Sequence, residues 1–251
     1  MTPTEQYIHD RDEQIRKNLE DRDLGIYTFR YHEQLARTNY VKNFCWMGVP
    51  ILQLPTDLMV MQEIIWQVKP DYIIETGVAF GGSLVFYASI LECLGKGKVL
   101  GIDVDPREEN MKALEHHPLR HRISVVKGDS VDPQTLDAAK DFVYSFPDPP
   151  PILVSLDSNH THDHVLQELR LYSPLVSVGS YVVVFDTAIE KFAHLIEKDR
   201  PWGPGNNPAT AVAEFMRGNE EFIVDKEVEQ RAGLTAAPGG WLRRIKEAKC
   251  K

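Results

Sequence analysis

Residues 156–165 read LDSNHTHDHV, with two aspartates and three histidines in ten positions. Such a cluster can hold a metal ion, move protons, or do neither and simply open a helix. The histidines fall one residue short of the H-x-H-x-D-H spacing of dinuclear zinc hydrolases. A lost position changes which side chains converge, so that chemistry is set aside.

Asp157 closes one apolar run, PILVSLD, and Asp186 closes another, SYVVVFD. If the two runs are neighbouring strands, their tips stand about 5 Å apart. Carboxylates at that separation repel unless a proton or a cation lies between them. A hard divalent cation with oxygen ligands, most naturally Mg²⁺, removes the conflict; otherwise the two acids only cap helices. His160 follows Asp157 by three positions and reads either as a solvated loop residue or as a proton acceptor. His162 and His164 fall in the first turn of the next helix, beside an inward Val165, where a supporting or surface role is expected. Thr161 suits the N-cap of that helix.

These groups need a scaffold. DYIIETG, KVLGIDVD, RISVVKGD, PILVSLD and SYVVVFD are separated by helical patterns over 83–94, near 107–116, near 133–141 and from His162 onward. Alternation of apolar strands with helices predicts a parallel sheet covered on both faces. A helix starting near Pro208, capped by Asn207, precedes EFIVD and GGWLRRI, which suit an antiparallel hairpin closing the sheet edge. Upstream, Thr56 or Asp57 is expected to cap a helix through LMVMQEIIWQV. Residues 44–55 place aromatic and apolar residues irregularly between Gly48, Pro50 and Pro55, which predicts a packed loop, a substrate wall or a subunit contact. The first twenty residues are charged on nearly every face, with a thin stripe of Tyr7, Ile8, Ile15 and Leu19: a helix with a weak core contact, or an oligomer contact. The chain thus divides into an extension, 1–60, and a main domain, 61–251.

ETGVAFGGS, residues 75–83, lies at a strand-to-helix junction. Gly77, Gly81 and Gly82 allow a tight turn and let a ligand lie against bare main chain at the helix N-terminus. The pattern is neither a P-loop nor G-x-G-x-x-G. Asp103, ending the next strand, can accept from both ribose hydroxyls of a nucleoside, and Asp129 with Ser130 can meet an adenine edge. Each of these also reads as a strand-end cap. The segment 200–215, RPWGPGNNPATAVAEF, is either a polar lid presenting Trp202 to a sugar or a plain crossover.

Taken together, GVPILQLPTD, IIETGVAFGGSL, LGIDVD, LDSNHTHDHV, GSYVVVFDT and GGWLRR resemble the family that groups cephalosporin hydroxylase-type proteins with rhamnosyl O-methyltransferases, within class I S-adenosylmethionine-dependent methyltransferases. The resemblance spans residues 40–245. It implies a Rossmann-like, mostly parallel seven-stranded sheet with an antiparallel C-terminal hairpin and an N-terminal helical extension. It further implies S-adenosylmethionine as donor, with Glu75, Gly77, Gly81 and Ser83 at its methionine end, Asp103 at the ribose, and Asp129 and Ser130 at the adenine. Mg²⁺ is implied at Asp157 and Asp186, with His160 as the base that deprotonates the acceptor. The match is imperfect at the second acid. Antibiotic-sugar relatives have Glu-Asp where this chain has Phe185-Asp186, and catechol-type relatives have Asp-Asn where it has Asp186-Thr187. Thr187 is therefore a weaker third ligand. The activity implied is O-methylation of a sugar hydroxyl; a catechol-type acceptor, or an auxiliary role in a two-protein oxygenation system, stands as the alternative.

A net charge of −9 argues against a nucleic-acid partner. No apolar run approaches the ~20 residues of a membrane span, and the charged N-terminus is no signal peptide. Cys45, Cys93 and Cys250 fit neither a metal site nor a disulfide framework. A cytoplasmic homo-oligomer acting on a small-molecule or saccharide substrate is expected.

Overall fold

The structure is a computed structural model that describes residues 1–143, 150–195 and 199–247. Two helices, α1 (Pro3–Glu20) and α2 (Arg22–Arg37), precede a short hairpin of β1 (Phe44–Trp46) and β2 (Val49–Ile51). There follow α3 (Pro55–Val68), β3 (Tyr72–Thr76), α4 (Gly82–Leu94), β4 (Lys98–Asp103), α5 (Glu108–Glu115) and β5 (Ile123–Lys127). Then come α6 (Pro133–Val143), β6 (Ile152–Leu156), α7 (His162–Tyr172), β7 (Tyr181–Val184) and α8 (Ile189–Phe192). The chain ends with α9 (Pro208–Phe215), β8 (Phe222–Val224), α10 (Lys226–Ala232) and β9 (Trp241–Arg244).

The expected seven-stranded sheet has the order β5-β4-β3-β6-β7-β9-β8. Strands β3 to β7 pair in parallel, and β9 runs antiparallel between β7 and β8. Every residue of β3, β6 and β7 is buried, as a sheet covered on both faces requires. Alternate side chains feed two cores. Ile73, Leu153, Tyr181 and Val183 join α3 and α4 on one face, while Ile74, Val154, Val182 and Val184 join α6, α7 and α9 on the other.

The helix expected over the first twenty residues is α1; Asp21 ends it and caps α2 by accepting from Leu24 N–H. Two local expectations are corrected. Residues 44–51 form a hairpin whose turn, Met47-Gly48, has both φ angles positive, at 47° and 88°. That is the geometry of a two-residue hairpin turn, without the Asn-Gly or Asp-Gly that would announce it. The third helix starts on Pro55 as its first turn; neither Thr56 nor Asp57 caps it. The Thr56 hydroxyl instead donates to the Leu234 carbonyl, and Asp57 is wholly buried. Among the described residues, no helix is long and apolar enough to cross a membrane.

Candidate active site

Strands β3 and β6 are neighbours, but the chain leaves them towards opposite edges of the sheet. The resulting crevice at their C-terminal ends is where open α/β sheets take ligands. A cavity of about 920 Å³ opens there. It is lined by residues 77–80 after β3, Asp103 at the end of β4, Asp129 after β5, Asp157 to His160 after β6, and Asp186 after β7. Its far wall is α2, through His32, Leu35 and Ala36.

Asp157, His160 and Asp186 each offer a ligand atom, and these atoms lie within 4.8 Å of one another. The parallel pairing of β6 with β7 aligns Leu156 with Val184, so the acid after each strand reaches the same edge. His160 Nε2 stands 3.3 Å from Asp186 Oδ2. Asp186 holds φ at +56°, a left-handed backbone that is uncommon outside glycine, asparagine and aspartate. Burial, reinforced by the negative charges of Asp186, Glu75 and Glu168, pushes the Asp157 carboxyl well above the usual carboxylate range. A divalent cation fits this donor set, since it offsets the repulsion that burial intensifies. Thr187 is placed differently from its expected role: it is buried, and its hydroxyl donates to the Pro238 carbonyl at 2.9 Å. His160, expected only as a base, is the third member of the cluster.

The residues expected on the donor side separate into two groups. Ser83, Gly77, Asp103, Asp129 and Ser130 line the cavity; Glu75 and Gly81 stand behind its wall. Glu75 is fully buried and accepts the Ser83 hydroxyl at 2.6 Å, while its Oε1 has no partner. Burial raises its pKa to about 8. Gly77 is dictated by packing, for a Cβ there would meet the Asp157 carbonyl oxygen at 2.1 Å, and φ is +86°. Asp103 Oδ2 accepts from Val78 N–H at 2.8 Å and Ala79 N–H at 3.4 Å, and its Oδ1 accepts from Asp105 N–H at 2.8 Å, which leaves Oδ1 a second lone pair for a ligand. The Ser130 hydroxyl is committed to Glu168 at 2.5 Å, so an adenine would meet its backbone rather than its side chain.

Sequence reasoning missed three contributors. Gln53, almost fully buried, donates from Nε2 to Asp157 Oδ2 at 2.8 Å. Glu168, with no exposure, accepts the hydroxyls of Ser130 and Ser158, and His164 Nε2 lies 3.0 Å from Ser130 Oγ. Burial opposes a charge on His164, but Glu168 and Asp129 outweigh it and raise its pKa. His162 turns away from the cluster to Thr210 and Glu214. His32, in α2, is driven down to about 4 by burial and by Lys191, and its ring lies 4.5 Å from that of Phe192. The available signals were a lone polar residue inside Ile51-Leu52-Gln53-Leu54, and an acid on the inward stripe of α7. The loop after α8 is tied down: Glu190 accepts from Gly205 N–H at 2.9 Å and from the Asn207 amide, and Asn206 accepts from His162 N–H. It sets Trp202 edge-on to His160, with ring centroids 5.8 Å apart.

The profile of the family described as "Rhamnosyl O-methyltransferase/CmcI" matches residues 38–245. The chain belongs to this family. It is accordingly an S-adenosylmethionine-dependent O-methyltransferase with the Rossmann-like fold of class I. A rhamnosyl O-methyltransferase of Mycobacterium tuberculosis is 33% identical over 211 residues, covering 83% of this chain and 79% of that protein. That of Mycobacterium leprae is 30% identical, covering 82% and 86%. Among solved structures, a CmcI described as a magnesium and S-adenosylmethionine form superposes with a TM-score of 0.57 at 20% identity, covering 82% of this chain and 78% of that one. A CmcI apo-structure gives 0.56 at the same identity, covering 82% and 77%.

Proposed function

We propose that this methyltransferase transfers the methyl group to a hydroxyl of a sugar, carried by a glycosylated natural product, a glycolipid or a polysaccharide precursor, with Mg²⁺ held by Asp157 and Asp186. The observation that carries the reading is the convergence of two carboxylates and an imidazole within 4.8 Å on the rim of the cavity. The relatives that are 30% or more identical are named for a rhamnosyl acceptor, which supports a sugar. Trp202, on the cavity wall beside His160, offers an aromatic face to it. In this reading residues 61–251 hold donor and metal, and residues 1–60 wall the acceptor. The free thiols of Cys45 and Cys93 suit a cytoplasmic setting, and the exposed Tyr7, Tyr27 and Tyr31 of α1 and α2 suit self-association.

Donor and metal supply what the chain lacks: an electrophilic methyl on a sulfonium, and positive charge that stabilises a developing alkoxide. The chain supplies position and a base. Backbone from Gly77 to Phe80, together with Ser83 and Asp103, holds the donor against the end of β3. Mg²⁺ favours oxygen ligands, whereas imidazole suits softer ions, so His160 is left to take the acceptor proton at Nε2. The resulting imidazolium is held against Asp186 Oδ2, 3.3 Å away.

Chelator-treated enzyme assayed with an isotope-labelled methyl donor and rhamnosides is expected to be inactive, and to recover when Mg²⁺ is returned. Full turnover after chelation would sink the metal role; preferred methylation of a catechol would move the acceptor to the aromatic class. Asp157→Ala and Asp186→Ala are each expected to abolish turnover, with S-adenosylhomocysteine affinity by calorimetry nearly unchanged.

A further inference from the structure

The segment Gln53-Leu54-Pro55-Thr56-Asp57 bonds directly to one carboxylate-bearing strand end and reaches the other through residues 234–238. At one end, Gln53 lies between the β1–β2 hairpin and α3, lines the cavity, and donates from Nε2 to Asp157 Oδ2 at 2.8 Å. A carboxylate only accepts, so this bond fixes the amide orientation and engages one oxygen of Asp157, leaving the other to face the cluster. Four residues on, Asp57 has no exposure, and its Oδ2 accepts from Ala236 N–H at 2.8 Å. The Ala236 carbonyl in turn accepts from Ala188 N–H at 3.2 Å, two residues past Asp186. Thr56 grips the same loop between α10 and β9 through the Leu234 carbonyl. The chain between, 234–238, also receives the Thr187 hydroxyl on Pro238. The left-handed turn at Asp186 is thereby held from behind by a loop that Asp57 anchors.

Such an anchor has a physical reason. A non-glycine residue at positive φ persists where its surroundings hold it there. Two free carboxylates that repel each other would otherwise swing apart whenever the cation leaves.

We propose that Gln53 and Asp57 are positioning residues that pre-set the two acidic ligands: Gln53 orients the Asp157 carboxylate, and Asp57, through Ala236 and Ala188, holds the Asp186 turn. The assignment rests on the metal reading given above. Partners that orient metal-ligating groups are worth roughly 10–100-fold in metal affinity. Mn²⁺, a spectroscopic stand-in for Mg²⁺, is titrated into the full chain and followed by electron paramagnetic resonance. Gln53→Met, which keeps bulk and removes the donor, is expected to weaken Mn²⁺ binding by roughly 10–100-fold, with thermal midpoint and S-adenosylhomocysteine affinity unchanged. Asp57→Ala is expected to weaken it similarly. Asp57→Asn, whose side-chain carbonyl can still accept from Ala236, is expected to restore wild-type affinity. Wild-type Mn²⁺ affinity in Gln53→Met, or an Asp57→Asn as weak as Asp57→Ala, would overturn the assignment while leaving the metal reading standing. Failure of the wild-type chain to bind Mn²⁺ at all would overturn both.

Discussion

His160 occupies two chemical positions at once, close enough to ligate with the aspartates and free enough to take a proton. The two roles separate by measurement. As the base, His160→Ala should lower kcat by roughly 10²–10⁴-fold while Mn²⁺ affinity and donor affinity hold; a matching loss of Mn²⁺ binding would make it a ligand. Glu75 gives a second test at this scale. Burial lifts its pKa from 4.5 to about 8, against the pull of Ser83 and Tyr87. The folded chain therefore holds this proton more tightly than the unfolded chain. Its contribution to stability is complete below 4.5 and is lost as the pH rises through about 8. Donor-free Glu75→Gln should match wild type at the acid end of that window and melt progressively higher than wild type across it, in parallel thermal scans. Single residues were also where the sequence was least legible. Asp157 and Asp186 stand out by type and by strand-end position, and His160 only through the family resemblance. Gln53 did not, because its partner lies 104 residues away and no local pattern encodes that meeting.

Elements were more legible, for a plain reason: periodicity is local. The apolar runs of β3 to β7 and the helical stripes between them are written in consecutive residues, so the parallel sheet and its ligand-binding edge followed from the pattern. The hairpin of β1 and β2 escaped because Met47 occupies a left-handed turn position that glycine, asparagine or aspartate would ordinarily flag. The start of α3 was misplaced because Thr56 and Asp57 have the chemistry of caps and spend it on the C-terminal chain instead. Helix α7 acts as a staple for the neighbouring strand ends, with Glu168 receiving Ser130 from the loop after β5 and Ser158 from the loop after β6. Glu168→Ala removes the acceptor shared by both hydroxyls, leaving them only His164 Nε2, and should cost about 1–3 kcal/mol. Urea denaturation reads that loss; calorimetry should also show weakened donor binding, since Ser130 and Asp129 line the cavity. Glu168→Gln, which keeps an acceptor, should recover part of both.

At the scale of the whole molecule, the family match begins at residue 38, just past α2. Neither α1 nor α2 contains a buried residue, yet α2 supplies His32, Leu35 and Ala36 to the cavity. The N-terminal helices thus border the cavity, through α2, without contributing a buried residue of their own. A chain lacking residues 1–37 is expected to keep its donor affinity and Mn²⁺ binding, and to lose acceptor affinity, seen as a raised KM on rhamnosides. A parallel collapse of donor binding would show instead that the helices support the fold.

The left-handed turn at position 186 also constrains how this lineage can decay. Glycine and asparagine tolerate that backbone, whereas β-branched residues resist it. A descendant copy relieved of its chemistry can drift to Gly or Asn here without refolding the loop, while Val or Ile would carry a conformational penalty whether or not the copy still worked. Inspection of this one column in related genomes would therefore sort idle copies from working ones before any assay is run.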